Sequence, residues 1–272
     1  MVSPGDEVLI LAPFWPLIAG IVRSFHGKPV PVPFLGNVST PDEAVAEVER
    51  FRTDRTVALY LSTPNNPTGL VIPREVLAAL VAWAAEHDLW VIADEVYEHY
   101  QFAGEHVYSR PFDPARVFAA HSFSKAYGMA GNRCGYVVGP PAAMGELRKV
   151  ATHTFYSTPT ASQLAAVAAL HGPGDAWAFA AREQYRETGS WAAQRLGIAP
   201  PQGSTFLFLD VADQLDGDGL DGFLARCADR GLFLAPGPSF GPYPAHLRIC
   251  FTAAPPERVK EGVEVLAELL GR

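Results

Sequence analysis

Continuous apolar runs alternate with helix-like segments through the first half of the chain. The strand-like runs lie at residues 7–13, 29–34, 56–62, 89–94, 117–121 and 134–138. Helix-like patterns lie between them at 17–25, 40–51 and 73–87. Strands that are apolar throughout are typical of parallel sheets covered on both faces. The pattern therefore predicts an α/β fold with a mostly parallel sheet and helices on both faces, in which the proline-rich run 29–34 is an edge strand.

The pattern changes in the second half. Residues 141–151 and 160–193 are helix-like, with an interruption at 172–174, and are followed by strand-like runs at 205–210, 232–235 and 246–251 and helix-like segments at 220–230 and 256–270. This order predicts a small C-terminal α+β domain. We expect a large domain at residues 1–155, connecting helices at 156–195 and the small domain at 196–272.

Charge and cysteine content narrow the class of protein. The 272 residues carry a net charge of −8 and no block of lysine or arginine, which disfavours binding to nucleic acid or to an anionic membrane. The three cysteines are widely spaced without the pattern of a zinc site, and the first residues lack the features of a signal peptide. We expect a cytoplasmic protein with reduced thiols, no bound metal and no contact with a membrane.

Polar residues follow three of the predicted strands, where ligands bind in open α/β sheets. Asn66 lies in a turn after the third run, Asp94 ends the fourth, and Lys125 follows the fifth. An amine at the end of a buried strand loses solvation, so its pKa falls and it becomes a candidate Schiff-base nucleophile. A lysine there can instead extend its charge to water. Asp94 can likewise be a helix N-cap, and Asn66 an ordinary turn residue.

Other polar and aromatic residues supplement this set. Tyr97 offers a hydroxyl three residues after Asp94, and Ser122 with Arg133 provides a hydroxyl and a guanidinium suited to a phosphate. Trp15, close to Pro13 and Pro16, fits either stacking on a ring or packing in a core or loop. Arg248 lies between apolar neighbours, where it either binds a carboxylate or faces solvent.

Three strings in this order resemble the class I/II aminotransferases, which are fold-type I enzymes dependent on pyridoxal phosphate. The strings stand at residues 66–69 (Asn-Pro-Thr-Gly), 94–97 (Asp-x-x-Tyr) and 122–136 (Ser-x-Ser-Lys through Arg-x-Gly-Tyr). The last string is long and specific, and the resemblance extends over essentially the whole chain. It implies transfer of an amino group between an L-amino acid and a 2-oxo acid, in a homodimer that takes part in amino acid biosynthesis.

The resemblance also implies roles for individual residues. Lys125 would form the Schiff base with pyridoxal phosphate and move the substrate proton, and Asp94 would hold the protonated pyridine nitrogen. Tyr97 and Asn66 would contact the phenolic oxygen of the ring. The remaining implied contacts are Ser122 and Arg133 with the phosphate, Trp15 with the ring face, and Arg248 with Asn66 at the substrate carboxylate.

The chain departs from the family at its beginning. In the family, a strand and the Gly-rich start of a helix normally precede the string Pro-Gly-Asp-Glu-Val-Leu-Ile, which lies here at residues 4–10, close to Met1. We therefore expect the large sheet to be one strand short. Three explanations remain open: a fragment of a longer enzyme, which the intact motifs favour, a naturally shortened enzyme, and a non-catalytic homologue that serves as a binding module.

The type of reaction also has alternatives. Pyridoxal phosphate with a lysine base supports other reactions, such as those of C–S lyases and decarboxylases. Phe206 and Tyr243 suggest an apolar or aromatic substrate side chain. A nucleotide-binding α/β protein would need a phosphate-loop string, which the sequence lacks.

Overall fold

Parallel pairing of the apolar runs forms the larger of two sheets in the computed structural model, which describes residues 2–272. Its strands follow the order β2-β1-β3-β4-β5-β6. Their bounds are β1 (Glu7–Ala12), β2 (Lys28–Pro33), β3 (Thr56–Ser62), β4 (Trp90–Asp94), β5 (Val117–Ser122) and β6 (Gly135–Val138). The first five are parallel, and β6 is antiparallel to β5. The proline-rich β2 lies at an edge, as predicted.

Helices cover both faces of this sheet around its first strands. They are α1 (Pro16–Ser24), α2 (Pro41–Glu49) and α3 (Arg74–Glu86), followed later by α4 (Phe123–Ala126) and α5 (Pro141–Thr154). Alternation along β3 supplies both cores, because Leu59 and Leu61 pack toward α2 and α3 while Tyr60 packs toward α1. The mostly parallel α/β sheet predicted from the apolar runs is confirmed.

The second half of the chain builds a smaller antiparallel sheet of order β7-β9-β8. Its elements are α6 (Thr160–His171), α7 (Gly174–Arg195), β7 (Phe206–Asp210), α8 (Gly219–Asp229), β8 (Ala235–Pro236), β9 (His246–Cys250) and α9 (Pro256–Leu269). Leu207, Phe223, Leu247 and Val263 join the end of α7 in one buried cluster. This is the small α+β unit expected from the sequence.

The strand predicted at 232–235 is wrong for most of its length, because β8 contains only Ala235 and Pro236. The reason is the end of α8. Gly231 adopts a left-handed backbone, and the N–H of Leu232 donates to the carbonyl of Cys227, so this stretch closes the helix. The Phe233 side chain is consequently 84% exposed.

The loop after β3 is attached to the segment that leads into β7. The backbone N–H groups of Gln202 and Gly203 both donate to the carbonyl of Gly69, at 2.9 Å each. Gly69 has a φ of 71°, and a Cβ atom there would lie 2.7 Å from the Phe206 carbonyl oxygen. Glycine at this position therefore lets the two sheets approach each other beside Asn66.

Apolar side chains remain uncovered at the β6 edge of the large sheet. Tyr136, Val137 and Val138 are 49, 43 and 39% exposed, and Phe155 after α5 is 68% exposed. This region contrasts with β1, whose residues are all buried. Within residues 2–272, no helix combines the length and the hydropathy needed to cross a membrane.

Candidate active site

The carboxyl ends of β3, β4 and β5 border a cavity of about 390 Å³. All seven side chains predicted to bind the cofactor line it: Trp15, Asn66, Asp94, Tyr97, Ser122, Lys125 and Arg133. Parallel strands end at the same edge of a sheet, and this places residues that are distant in sequence around one space. The structure thus brings together side chains that the sequence could only place in order.

Asp94 lies at the end of β4 and receives a hydrogen bond that sequence reasoning missed. The Tyr60 hydroxyl donates to Asp94 Oδ2 at 2.7 Å, and the backbone N–H of Val96 donates to Oδ1 at 3.4 Å. Burial raises the pKa of Asp94, and the hydrogen bond from Tyr60 partly offsets this rise. Within residues 2–272, no lysine, arginine or histidine forms an ion pair with this carboxylate, which suits it to a cation brought by a ligand.

Tyr97 and Phe206 form a buried aromatic pair next to the cavity. Tyr97 is 3% exposed, and its ring meets Phe206 edge to face with 5.9 Å between centroids. Burial raises the pKa of Tyr97, so its hydroxyl keeps its proton at neutral pH. The tyrosine is therefore a hydrogen-bond donor held in one orientation by packing.

Arg248 joins the small sheet to the cavity. Its Nη1 donates to Asn66 Oδ1 at 3.0 Å, across 182 residues of sequence. The guanidinium carbon lies 4.1 Å from the centroid of Phe206 and 4.8 Å from that of Phe240, so two aromatic rings fix its plane. Arg248 Nε is buried and has no hydrogen-bond partner within residues 2–272. An unpaired guanidinium donor beside an amide is suited to a carboxylate ligand.

Lys125 is more exposed to solvent than the sequence predicted. It lies in α4, the single turn that follows β5, and its side chain is exposed rather than buried at a strand end. Its Nζ is 5.7 Å from the centroid of the Tyr97 ring. The Tyr100 hydroxyl donates to the Lys125 carbonyl at 2.8 Å and fixes the backbone of this turn. The amine is thus directed by its backbone and has few fixed contacts of its own.

Ser122 and Arg133 lie on the same rim as Lys125. Ser122 caps α4, and its hydroxyl accepts a hydrogen bond from the Ser124 N–H at 3.1 Å. Arg133 has a left-handed backbone at the end of a short 3-10 turn, and its Nη1 donates to the Ala130 carbonyl at 2.8 Å. Ser124 also lines the cavity, so two hydroxyls and a guanidinium face this end of it.

Trp15 contributes an aromatic wall, whereas two other expected contacts lie elsewhere. Trp15 immediately precedes α1 and packs partly against the adjoining core. Phe206 and Tyr243 do not line the cavity: Phe206 lies beneath Arg248, and Tyr243 packs edge to face against Phe208. These two aromatic residues consequently give no information about a substrate side chain.

Similarity to known proteins agrees with this arrangement. The family model described as aminotransferase class I and II matches residues 1–266, and the chain belongs to this family. The aspartate/prephenate aminotransferase of Thermus thermophilus is 34% identical over an alignment that covers 100% of this chain and 71% of the relative. The arginine–pyruvate transaminase of Pseudomonas aeruginosa is also 34% identical, with 92% of this chain and 65% of the relative covered.

Solved structures of the same kind share the fold. Aspartate aminotransferase from Thermus thermophilus with maleate superimposes with a TM-score of 0.87 at 30% identity, covering 98% of this chain and 71% of that one. An aminotransferase from Mycobacterium tuberculosis gives a TM-score of 0.87 at 27% identity, with 99% and 71% covered. The chain is thus a class I/II aminotransferase, as the three sequence strings indicated.

Proposed function

We propose that the chain binds pyridoxal 5'-phosphate in the cavity at the ends of β3, β4 and β5 and transfers an amino group between an L-amino acid and a 2-oxo acid. The observation that carries this proposal is the convergence of all seven predicted side chains on one cavity. Their chemistry matches the groups of the cofactor: a carboxylate for a pyridinium nitrogen, phenol and amide for a phenolic oxygen, and hydroxyls with a guanidinium for a phosphate.

Asp94 fits the pyridine nitrogen because it is a half-buried carboxylate at the cavity wall that forms no ion pair with a lysine, arginine or histidine in the described part of the chain. A protonated ring nitrogen would supply a cation, and Tyr60 would hold the carboxylate in place by its hydrogen bond. When bound, pyridoxal phosphate supplies an electron sink for the negative charge that develops at the substrate Cα. Trp15 would pack on one face of the ring.

Ser122, Ser124 and Arg133, which also line the cavity, would hold the phosphate. The fork of N–H groups on arginine matches two phosphate oxygens, and each hydroxyl adds one donor. Arg133 is exposed and has one backbone partner, so it can turn onto a bound phosphate without breaking a network of hydrogen bonds. Lys125, on the same turn, would attach the cofactor through Nζ.

Arg248 and Asn66 would orient the amino acid. Arg248 would bind the α-carboxylate with the Nε–H that now lacks a partner, and Asn66 would keep the guanidinium in place. The amino acid bound in this way would present its Cα to Lys125, whose Nζ would take up the Cα proton and hold it for return to the substrate. A protein group that both attaches the cofactor and moves the proton requires the mobility that an exposed lysine has.

We extend the proposal to the organisation of the protein. Residues 1–155 and 196–272 would form the large and small domains around the two sheets, with residues 156–195 connecting them. A homodimer would cover exposed aromatic groups such as Phe155 and Tyr156, which are 68 and 78% exposed. The free thiols Cys134, Cys227 and Cys250 are compatible with a cytoplasmic role in amino acid metabolism.

The direct test is a titration of purified protein with pyridoxal phosphate, followed by visible absorbance. We expect an absorbance band for the wild type that is lost in Lys125→Ala. Turnover is then measured with several amino acid donors, including aspartate and an aromatic amino acid, and a 2-oxo acid acceptor. Release of ammonia or carbon dioxide without a new amino acid would favour elimination or decarboxylation. The same spectrum in wild type and variant would reject the site.

A further inference from the structure

A second cluster of titratable side chains lies directly behind the candidate active site. Glu95 follows Asp94 in the chain, and His121 precedes Ser122. Neighbouring residues of a strand point to opposite faces, so this alternation puts Ser122 at the cavity and His121 on the reverse face. The two strand ends are joined there by a hydrogen bond from the Glu95 N–H to the Ala120 carbonyl, at 3.0 Å.

His121 lies between two buried carboxylates. Its Nδ1 is 3.1 Å from Glu98 Oε1, and its Nε2 is 3.8 Å from Glu95 Oε2. The three side chains are only 6, 7 and 0% exposed for His121, Glu98 and Glu95 respectively. Tyr136 of β6 stacks on the imidazole with 4.7 Å between centroids. The ring is therefore held from both edges and from one face.

Glu95 is itself fixed by the loop that precedes β5. Its Oε1 accepts hydrogen bonds from the N–H and the hydroxyl of Ser109, at 2.7 and 2.6 Å. Its Oε2 has no hydrogen-bond partner within residues 2–272, and His106 Nε2 lies 3.8 Å from it. A buried carboxylate oxygen without a hydrogen bond is costly unless a positive charge is near.

The charges of the cluster favour a protonated His121. Among residues 2–272, all ion pairs of Glu95 and Glu98 involve histidines rather than lysine or arginine. Burial lowers the pKa of His121, but the hydrogen bond to Glu98 and the charges of Glu98, Glu95 and Asp94 raise it above its usual value. Burial raises the pKa of Glu98, but the hydrogen bond and charge of His121, together with the Tyr108 hydroxyl and His99, outweigh burial and leave the pKa lowered.

Four residues from different parts of the chain contact the His121 ring: Glu95, Glu98, Tyr108 and Tyr136. Around them, His99 pairs with Glu98 and His106 with Glu95, and the charge of Asp94 also acts on His121. On the outer side, Glu98 and His106 border a separate cavity of about 480 Å³. Glu105, Asp175 and Arg182 also line that cavity, so its charge is mixed.

We propose that protonated His121, bound between Glu95 and Glu98, is a positioning residue that holds the ends of β4 and β5 at the spacing in which Asp94 and Ser122 reach the two ends of one cofactor molecule. The proposal rests on the proposed function for its cofactor part. His121 precedes Ser122 and Glu98 follows Tyr97, so the hydrogen bond between them links two segments that line the cavity. Loss of this bond leaves the two strand ends joined only by their backbone hydrogen bonds, and it removes no group from the cavity.

The sign of the pH dependence follows from the raised pKa. The charge on His121 that strengthens its contacts with Glu95 and Glu98 is complete below the usual histidine pKa, and it is lost as the pH rises through the higher value in the folded protein. A neutral imidazole can still donate Nδ1–H to Glu98, so we expect the contribution of His121 to cofactor affinity to be largest at low pH and smallest at high pH.

The first measurement uses the full chain without cofactor and does not depend on the proposed function. Hydrogen exchange is followed in peptides that contain residues 94–98 and 119–124, for wild type, His121→Asn and the isosteric Glu98→Gln. We expect exchange in these peptides to accelerate about fivefold in His121→Asn and less in Glu98→Gln, while core peptides of β1 are unchanged. The control His87→Asn disrupts another histidine–glutamate pair, with Glu49, and leaves both peptides unchanged.

The second measurement is the dissociation constant of pyridoxal phosphate between about pH 6 and pH 9, a range that brackets the titration of histidine. We expect the ratio of His121→Asn to wild type to be about tenfold at the low end and to be several-fold smaller at the high end, where only the neutral hydrogen bond remains. Unchanged exchange in the two peptides, faster exchange everywhere, or a ratio independent of pH would overturn the proposal. If the wild type binds no cofactor, the proposed function fails, and the exchange measurement alone decides the role of His121.

Discussion

The two sides of the cavity are built differently. On the β3–β4 side, Asn66 and Tyr97 are buried, and Asp94 and Asn66 each receive a hydrogen bond from another side chain. On the α4–β6 side, Lys125 and Arg133 are exposed, and β6 beyond them is exposed along its whole length.

The difference separates two tasks. Groups that recognise a fixed ring gain from being held in place before binding, because less entropy is lost when the ligand arrives. A lysine that attaches the cofactor and moves a proton needs freedom to move. The protein therefore fixes Asp94 through Tyr60 and leaves the Lys125 amine in solvent.

The largest expected effect concerns the mobile side. Lys125→Ala removes both the attachment of the cofactor and the base, so we expect the transamination rate to fall about 10⁴-fold or more, or about 5 kcal/mol of transition-state stabilisation. Single-turnover kinetics with added cofactor measure this loss. Lys149→Ala, on the exposed α5 helix, serves as the control and keeps wild-type activity. Retention of more than a tenth of the activity would assign the base to another group.

The contrast in packing predicts different costs for truncation in the two regions. Leu59 is fully buried, so Leu59→Ala leaves a cavity and should lower the free energy of unfolding by about 2–5 kcal/mol. Val137 is 43% exposed, and Val137→Ala should change it by about 0.5 kcal/mol or less. Urea denaturation of the two variants gives both values. Equal losses would mean that β6 is covered in solution, for instance by a second copy of the chain.

A substitution of Arg248 tests whether the β3–β4 side of the cavity binds the substrate carboxylate. Arg248→Gln removes the charge but keeps an amide near Asn66, so we expect KM for the amino acid to rise about 30-fold, the equivalent of about 2 kcal/mol. The dissociation constant of pyridoxal phosphate should stay within about twofold, because Arg248 does not line the cofactor cavity. Steady-state kinetics and cofactor titration separate the two. A loss of cofactor affinity without a change in KM would place Arg248 at the ring.

Tyr60 gives the smallest expected effect. Tyr60→Phe removes the hydrogen bond to Asp94, which favours the charged carboxylate, so the pKa of Asp94 rises further. Cofactor affinity depends on that charge and is lost as the pH falls through this pKa. We therefore expect affinity to drop about fivefold at neutral pH and its acid limb to move to higher pH.

The matched control for this prediction is Tyr243→Phe, which removes a buried hydroxyl that has no hydrogen-bond partner within residues 2–272. Its pH profile of cofactor binding should coincide with that of the wild type. An acid limb that moves to lower pH in Tyr60→Phe would contradict the assigned role of this hydroxyl.

Most strands, their alternation with helices and the order of the functional residues could be predicted from the amino-acid sequence alone. Apolar runs such as β1 and β3 follow from local periodicity, and the chemistry of Asn66, Asp94 and Lys125 follows from short strings. Apolar periodicity and short sequence strings are both local properties of the amino-acid sequence. The strand predicted at 232–235 is reduced to β8, Ala235 and Pro236, because Gly231 and Leu232 close α8.

The contacts between side chains that are distant in sequence depend on how the chain folds. Tyr60 and Asp94 are 34 residues apart, and Arg248 and Asn66 are 182 apart, so neither contact leaves a local pattern. The exposure of Lys125 likewise depends on what covers the turn after β5, which periodicity does not describe. Burial and hydrogen bonding between elements distant in sequence set these contacts. They hold Asp94 and Asn66 on one side of the cavity and leave Lys125 exposed on the other.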